Sequence, residues 1–159
     1  MKNSQVEAVL RFYKDIDLDI QIASEWLEQL ESGYNPLGAV VYDGMPHGTN
    51  ISDQTAQLGI KLAESNTGER VAILKKRIKD LKKVRTEILK EITTLTPVHK
   101  TIIVGFYIEG QKWERIGERI NYSVRQSKNI RCVALEVLGG KMARNRCISR
   151  SKIIAEIIN

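Results

Sequence analysis

Between Glu69 and Leu95 the apolar residues Val71, Leu74, Ile78, Leu81, Ile88, Ile92 and Leu95 fall at heptad spacing, with Arg85 the one polar member of the seam. A stripe of that period is buried only when a helix faces another helix, so the chain is committed to helical packing. A second stripe runs from Ser4 to about Glu31, through Val6, Val9, Leu10, Tyr13, Ile16, Ile20, Ala23, Leu27 and Leu30. Gly33, Asn35 and Pro36 end that helix, because Gly and Asn accept a left-handed cap and Pro cannot continue it. At 1.5 Å per residue the two helices span roughly 42 Å and roughly 39 Å, matched lengths that predict an antiparallel hairpin or an intermolecular bundle. Between them, Pro36–Asn50 holds three Gly and two Pro and reads as a connector. Ser52 or Asp53 then offers an N-cap for a short helix from Gln54 to about Glu64, with Ala56, Ile60 and Ala63 on one face. Asn66 and Gly68 are expected to break it before the heptad helix begins.

Charge is distributed unevenly along this scaffold. The 159 residues carry 25 Lys and Arg against 19 Asp and Glu, a net of +6. Residues 1–66 hold four basic and ten acidic side chains, residues 67–95 nine and four, and residues 96–159 twelve and five. The first two segments can neutralise each other across a helix pair. The third leaves a net of +7 in the C-terminal 64 residues, the footprint expected of a nucleic-acid-binding module. Lys75, Lys76, Lys79, Lys82 and Lys83 read more simply as the solvated flank of the heptad helix.

From Thr96 the sequence reads as three helices. Thr96 caps and Pro97 opens the first, whose buried face is Val98, Ile102, Ile103 and Tyr107, and Gly110 stops it. Trp113, Ile116 and Ile120 mark a two-turn helix, with Gly117 where a neighbouring helix must come close. Asn121 and Tyr122 form the turn, Asn121 left-handed and Tyr122 plugging the gap between helices. Ser123 caps the next helix, predicted over about 123–138, with Ser127, Ile130, Ala134 and Val137 or Leu138 facing inward. Arg125, Gln126, Lys128, Asn129 and Arg131 face outward. Guanidinium and amide groups near the start of such a helix suit base edges in the major groove, flanking cations suit phosphates, and the helix N-terminus itself favours an anion.

The run KWERIGERINYSVRQSKNIRCVALEVL resembles region 4 of sigma-70-family factors, the module that binds the −35 promoter element. Trp113, Ile116, Gly117, Ile120, Ser123, Ile130, Ala134, Leu135 and Leu138 fall at matching positions without a gap. The resemblance covers about 45 residues, 96–140. It implies a helix-turn-helix whose base contacts come from Val124, Arg125, Lys128 and Asn129, with Gln126 beside them. Val124 stands where that family has a long polar residue, Arg125 replaces an acidic one and Ser127 an apolar one, which argues against the same promoter specificity. Nothing resembling the −10-binding region precedes this module. Together with the segment GMPHGTNISDQTAQLGIKL and the helical N-terminal half, it is similar to small phage regulators of the ArpU and RinA type. That similarity implies a transcriptional activator of phage genes.

Gly139 and Gly140 are expected to end the recognition helix, leaving KMARNRCISRSKIIAEIIN as a basic tail. Lys112, Ser123, Arg131, Lys141, Arg144 and Arg146 are the candidate phosphate-binding residues. Ile148, Ile153, Ile154, Ile157 and Ile158 predict a short terminal helix that packs or self-associates. His47 and His99 lack a second ligand at helical spacing, and Asp43, His47 and Asp53 read as turn residues rather than metal ligands. There is no phosphate-cradling glycine loop and no nucleophile elbow, and Cys132 and Cys147 default to free thiols. No cofactor, metal or catalytic activity is expected. With no long apolar run and no basic-then-apolar leader, neither membrane span nor secretion is expected, and the cytoplasm of a bacterial host is the expected location.

The expectation is therefore an all-α chain in three parts: 1–95 as a long-helix scaffold that oligomerises or binds a partner, 96–140 as a DNA-binding helix-turn-helix, and 141–159 as a basic tail. The expected partner is double-stranded promoter or operator DNA. RNA polymerase and a homo-oligomer through the N-terminal helices are further expected partners. The competing expectation is an adaptor that occupies RNA polymerase or a host regulator without reading DNA. A packaging-site-binding small terminase subunit is a third, less natural reading, because it would place the helix-turn-helix first.

Overall fold

The computed structural model describes residues 1–32 and 51–158, the side chains of 51–66 excepted. Among these residues the chain is all-helical, with seven α-helices and no strand. They are α1 (Asn3–Glu31), α2 (Ile51–Thr93), α3 (Pro97–Ile103), α4 (Trp113–Ile120), α5 (Val124–Arg144), α6 (Arg146–Ser149) and α7 (Lys152–Ile158). A π-helical turn, Val104–Ile108, continues α3. No helix among the described residues is long and apolar enough to cross a membrane. The expected connector, with Asp43 and His47, and the side chains of Ser52 and Asp53 lie outside the described residues.

Two compact units form, and they do not follow the divisions 1–95, 96–140 and 141–159. One joins Met1–Ile20 to Asp80–Asn159; the other is Gln21–Lys79. In the first unit the stripe of α1 supplies Val6, Val9, Leu10 and Ile16, α2 supplies Leu81, Val84, Ile88 and Ile92, and Leu95 follows just after it. Ile103 and Tyr107, then Ala134, Leu135, Leu138 and Met142 of α5, Ile148 of α6 and Ile154 of α7 complete one core. Each large aliphatic taken out of water contributes about 1.5–3 kcal/mol, which is why the first turns of α1 belong with the C-terminal helices. The isoleucines of the tail are thus part of the core: Ile148 and Ile154 are buried, and Ile153, Ile157 and Ile158 pack against them.

Three helix expectations need correction. The heptad count put Arg85 in the seam, whereas α2 buries Val84 and turns Arg85 outward to Asp17, Nε to Oδ1 3.0 Å. A real helix repeats at 3.6 rather than 3.5, and stepping from Leu81 to Val84 spares the desolvation of a guanidinium; the half-exposed ion pair itself contributes at most about 1 kcal/mol. Asn66 and Gly68 do not interrupt α2. It runs for 43 residues, roughly 64 Å against roughly 43 Å for α1, so the two helices are not matched in length. A lone glycine costs a helix only about 1 kcal/mol, which the helix-favouring residues around it override.

Gly139 and Gly140 likewise sit inside α5, which continues to Arg144. Gly139 is there because backbone presses on it: a Cβ at that position would lie 2.9 Å from the Met1 carbonyl oxygen and 3.0 Å from Val6 Cγ2. Asn145 makes the actual stop. Its Oδ1 accepts the N–H groups of Cys147 and Ile148, opening α6, and its Nδ2 donates to the carboxylates of Glu87 and Glu91 at 2.8 Å each.

The second unit is sparer. Ala23 and Ile78 are buried, but Leu27, Leu30, Val71 and Leu74 are only half-buried. A Lys75–Glu31 ion pair, 2.6 Å, ties its helices together at one edge.

Candidate nucleic-acid interface

The joint between α4 and α5 is built from backbone requirements. Asn121 adopts the left-handed conformation, φ 58°, that reverses the chain after α4, a geometry Asn tolerates through its short polar side chain. The Tyr122 N–H returns to the Gly117 carbonyl at 3.0 Å, and a Cβ on Gly117 would stand 2.7 Å from the Tyr122 carbonyl oxygen. Only glycine admits that approach. Tyr122 contributes backbone and not a plug, since its ring is exposed.

Ser123 then opens α5 with a full capping box. Its Oγ accepts the Gln126 N–H at 3.2 Å, while Gln126 Oε1 accepts the Ser123 N–H at 3.3 Å and its hydroxyl at 3.1 Å. The Ser123 hydroxyl and the Gln126 carboxamide oxygen are thus both engaged at the helix start. One turn on, Ser127 is fully buried and its Oγ donates to the Ser123 carbonyl at 2.9 Å. A hydroxyl at this buried position is therefore satisfied within the helix itself.

What remains outward is a compact set. Arg125, Lys128 and Asn129 are exposed on the first two turns of α5 and make no hydrogen bond or ion pair to the described residues; Val124 beside them is half-buried. Lys112 is exposed at the N-cap of α4, with Arg115 exposed one turn along between Glu114 and Glu118. Arg119 is drawn to Glu109 at 3.8 Å.

Arg131, a candidate phosphate-binding residue, is partly buried and turned toward neighbouring helices. Its side chain is 30% exposed, its guanidinium carbon sits 5.8 Å and 6.0 Å from the ring centres of Phe106 and Trp113, and Nη1 lies 3.9 Å from Glu7 Oε1. Phe106 and Trp113 stack at 4.5 Å to form that platform. The same Glu7 oxygen accepts the Tyr107 hydroxyl at 2.8 Å. Burial first, and then the Glu7 carboxylate, push the Tyr107 phenol well above its ordinary range, so it remains the donor throughout neutral pH. The π turn that sets these rings is marked in sequence only by Gly105, against which Ile116 packs at 3.3 Å from the Cβ position.

The basic tail also resolves differently from expectation. Lys141 Nζ donates to Thr94 Oγ1 at 3.1 Å, so it is tied to the end of α2. Arg144 and Arg146 are exposed and unpaired among the described residues. Because α5 does not stop at Gly139, Arg144 lies roughly 28 Å along the helix from Arg125 and forms no continuous patch with it. Among the described residues no three His, Cys, Asp or Glu side chains converge as a metal site would. Comparison with protein-family models, with curated proteins and with solved structures finds no match for the chain.

Proposed function

We propose that the chain is a sequence-specific DNA-binding regulator that lays the start of α5 in the major groove. In this reading Arg125, Lys128 and Asn129 address base edges, Val124 makes an apolar contact, and Lys112 meets phosphate. The observation that carries it is the free donor set on the first two turns of a helix held by a glycine-tight turn and a capping box. Rigid presentation of unpaired guanidinium and amide groups is what base readout requires, because each bidentate pair is worth about 1–3 kcal/mol only when its geometry is fixed. The resemblance of residues 112–138 to sigma region 4 supports the same assignment, and the softer similarity to ArpU- and RinA-type proteins supports an activator of phage or prophage genes in a bacterial cytoplasm. No catalytic role is proposed.

A titration of the full chain against promoter-containing and random DNA across salt tests this. Binding should weaken steeply with salt; Arg125→Ala should lose sequence preference, whereas Lys112→Ala should weaken all sequences alike. Absence of binding to either DNA at low salt overturns the reading. One observation favours the adaptor alternative: beyond Asn129 the outward face of α5 exposes Cys132, Val133 and Val137 around the single charge of Glu136, a surface suited to RNA polymerase or another protein. Loss of polymerase capture by Val133→Asp with DNA binding intact would assign that half of α5 to a protein partner.

A further inference from the structure

We propose that Glu7, Arg131 and the aromatic pair Phe106 and Trp113 are positioning residues for DNA readout: they fix the roll of α5 that aims Arg125, Lys128 and Asn129. The proposal rests on the DNA-binding reading of α5 and extends that site to α1.

The inner stripe of α5 includes Ser127, Ala134, Leu135, Leu138 and Met142, all buried. Arg131 stands four residues from Ser127 and four from Leu135, so its backbone belongs to the same stripe. A guanidinium is costly there, and an aliphatic side chain would pack at less cost. Its Nε is buried and meets no hydrogen-bond acceptor among the described residues. The charge is met instead by a socket drawn from three other elements. The π turn supplies Phe106, α4 supplies Trp113 with its ring 26° from parallel to that of Phe106, and α1 supplies Glu7. Tyr107 braces Phe106 edge-on, ring centres 5.0 Å apart, and its hydroxyl returns to the same Glu7 oxygen.

Shape explains what the socket does. Aliphatic surfaces roll over one another at small cost, whereas a planar guanidinium seats in one orientation. A second contact completes the constraint. About two turns further along α5, roughly 12 Å from Arg131, Val6 and the Met1 carbonyl press on Gly139. The start of α1 therefore holds α5 at two levels, which sets both its roll and its tilt. Arg125, Lys128 and Asn129 precede Arg131 on the same helix, so a roll at Arg131 is carried to all three. Contacts to base edges depend on that angle. Contacts to phosphates, which recur along the duplex backbone, depend on it far less.

Fluorescence-anisotropy titration of the full chain on two probes tests this: a duplex enriched by wild type from a random library, and the unselected library. Arg131→Lys keeps the charge and loses the planar fork. It should lower the affinity ratio between the probes about tenfold, with the slope of log affinity against log salt unchanged. Glu7→Ala should lower the ratio as well, although removing a carboxylate by itself favours DNA. Ile148→Val loosens the same core beyond the C-terminal end of α5 and should leave the ratio within about twofold of wild type. Ratios that stay within about twofold of wild type in both Arg131→Lys and Glu7→Ala overturn the proposal. So does an equal loss in Ile148→Val, which would trace the effect to stability alone. Arg131→Ala that weakens both probes alike and lowers the salt slope by about one makes Arg131 a phosphate contact, and overturns it too. Those results leave the DNA reading standing. A wild type that enriches no duplex and binds no library DNA at low salt removes that reading, and this proposal with it.

Discussion

The unit that contains α3 to α7 and the unit Gln21–Lys79 are built from the same two amphipathic helices, yet they bury them to different depths. In the first, Leu10, Ile16, Leu81, Ile88 and Ile92 are essentially inaccessible; in the second, residues of the same stripes remain half in water. An apolar period states which face of a helix seeks cover. It does not state whether anything covers it. Here the difference is a further layer of helices, present over Val6 to Ile16 and lacking over Leu27 and Leu30 among the described residues.

The largest test of that contrast is a pair of leucines. Leu138→Ala, in the core beneath α5, should cost about 2–5 kcal/mol in chemical denaturation, while Leu27→Ala should cost about 1 kcal/mol or less in the monomeric state. Equal losses would erase the distinction between the units. Next in size are glycines that hold backbones close: Gly117→Ala and Gly139→Ala each drive a Cβ to within 3 Å of a carbonyl oxygen and should cost about 1–3 kcal/mol. Gly117→Ala should also blunt DNA affinity, because it displaces the start of α5, and unchanged affinity would show the joint to be looser than its geometry.

Tyr107 sharpens the picture of the covered unit through pH. Its raised phenol pKa favours the neutral form on folding, so its contribution is complete below its ordinary titration near pH 10 and drains away as pH rises beyond it. Tyr107→Phe should cost about 1 kcal/mol at neutral pH and remove that alkaline loss, read as denaturation midpoints between neutral and high pH. Smallest, and opposite in sign, is Gly68→Ala in α2. A Cβ there meets nothing within 4 Å, so the change should stabilise the helix by up to about 1 kcal/mol.

Features whose cause is local were legible in the sequence. Pro97 at a helix start, Asn121 in the left-handed turn, Gly117 at the close approach and Ser123 at the N-cap each act within a few residues of themselves. Arg125, Lys128 and Asn129 were legible as an outward set because helical period alone places them. Arg131 was not, since its direction is decided by Phe106, Trp113 and Glu7 from three other elements. Gly68, Gly139 and Gly140 read as stops because glycine weakens a helix, but the weakness is small and packing outweighs it. Asn145 carries no comparable local signal, because its importance lies in two carboxylates more than fifty residues away.

The Tyr107–Glu7 hydrogen bond joins residues one hundred positions apart, and the unit it belongs to is discontinuous in the chain. Synthesis therefore delivers the apolar stripe of α1 long before its cover exists. At about 5–20 residues per second, Val6, Val9 and Leu10 wait on the order of ten seconds for α5 and α7 to emerge. Folding of this unit should therefore begin only after most of the chain has left the ribosome, at the slower pace that distant contacts impose.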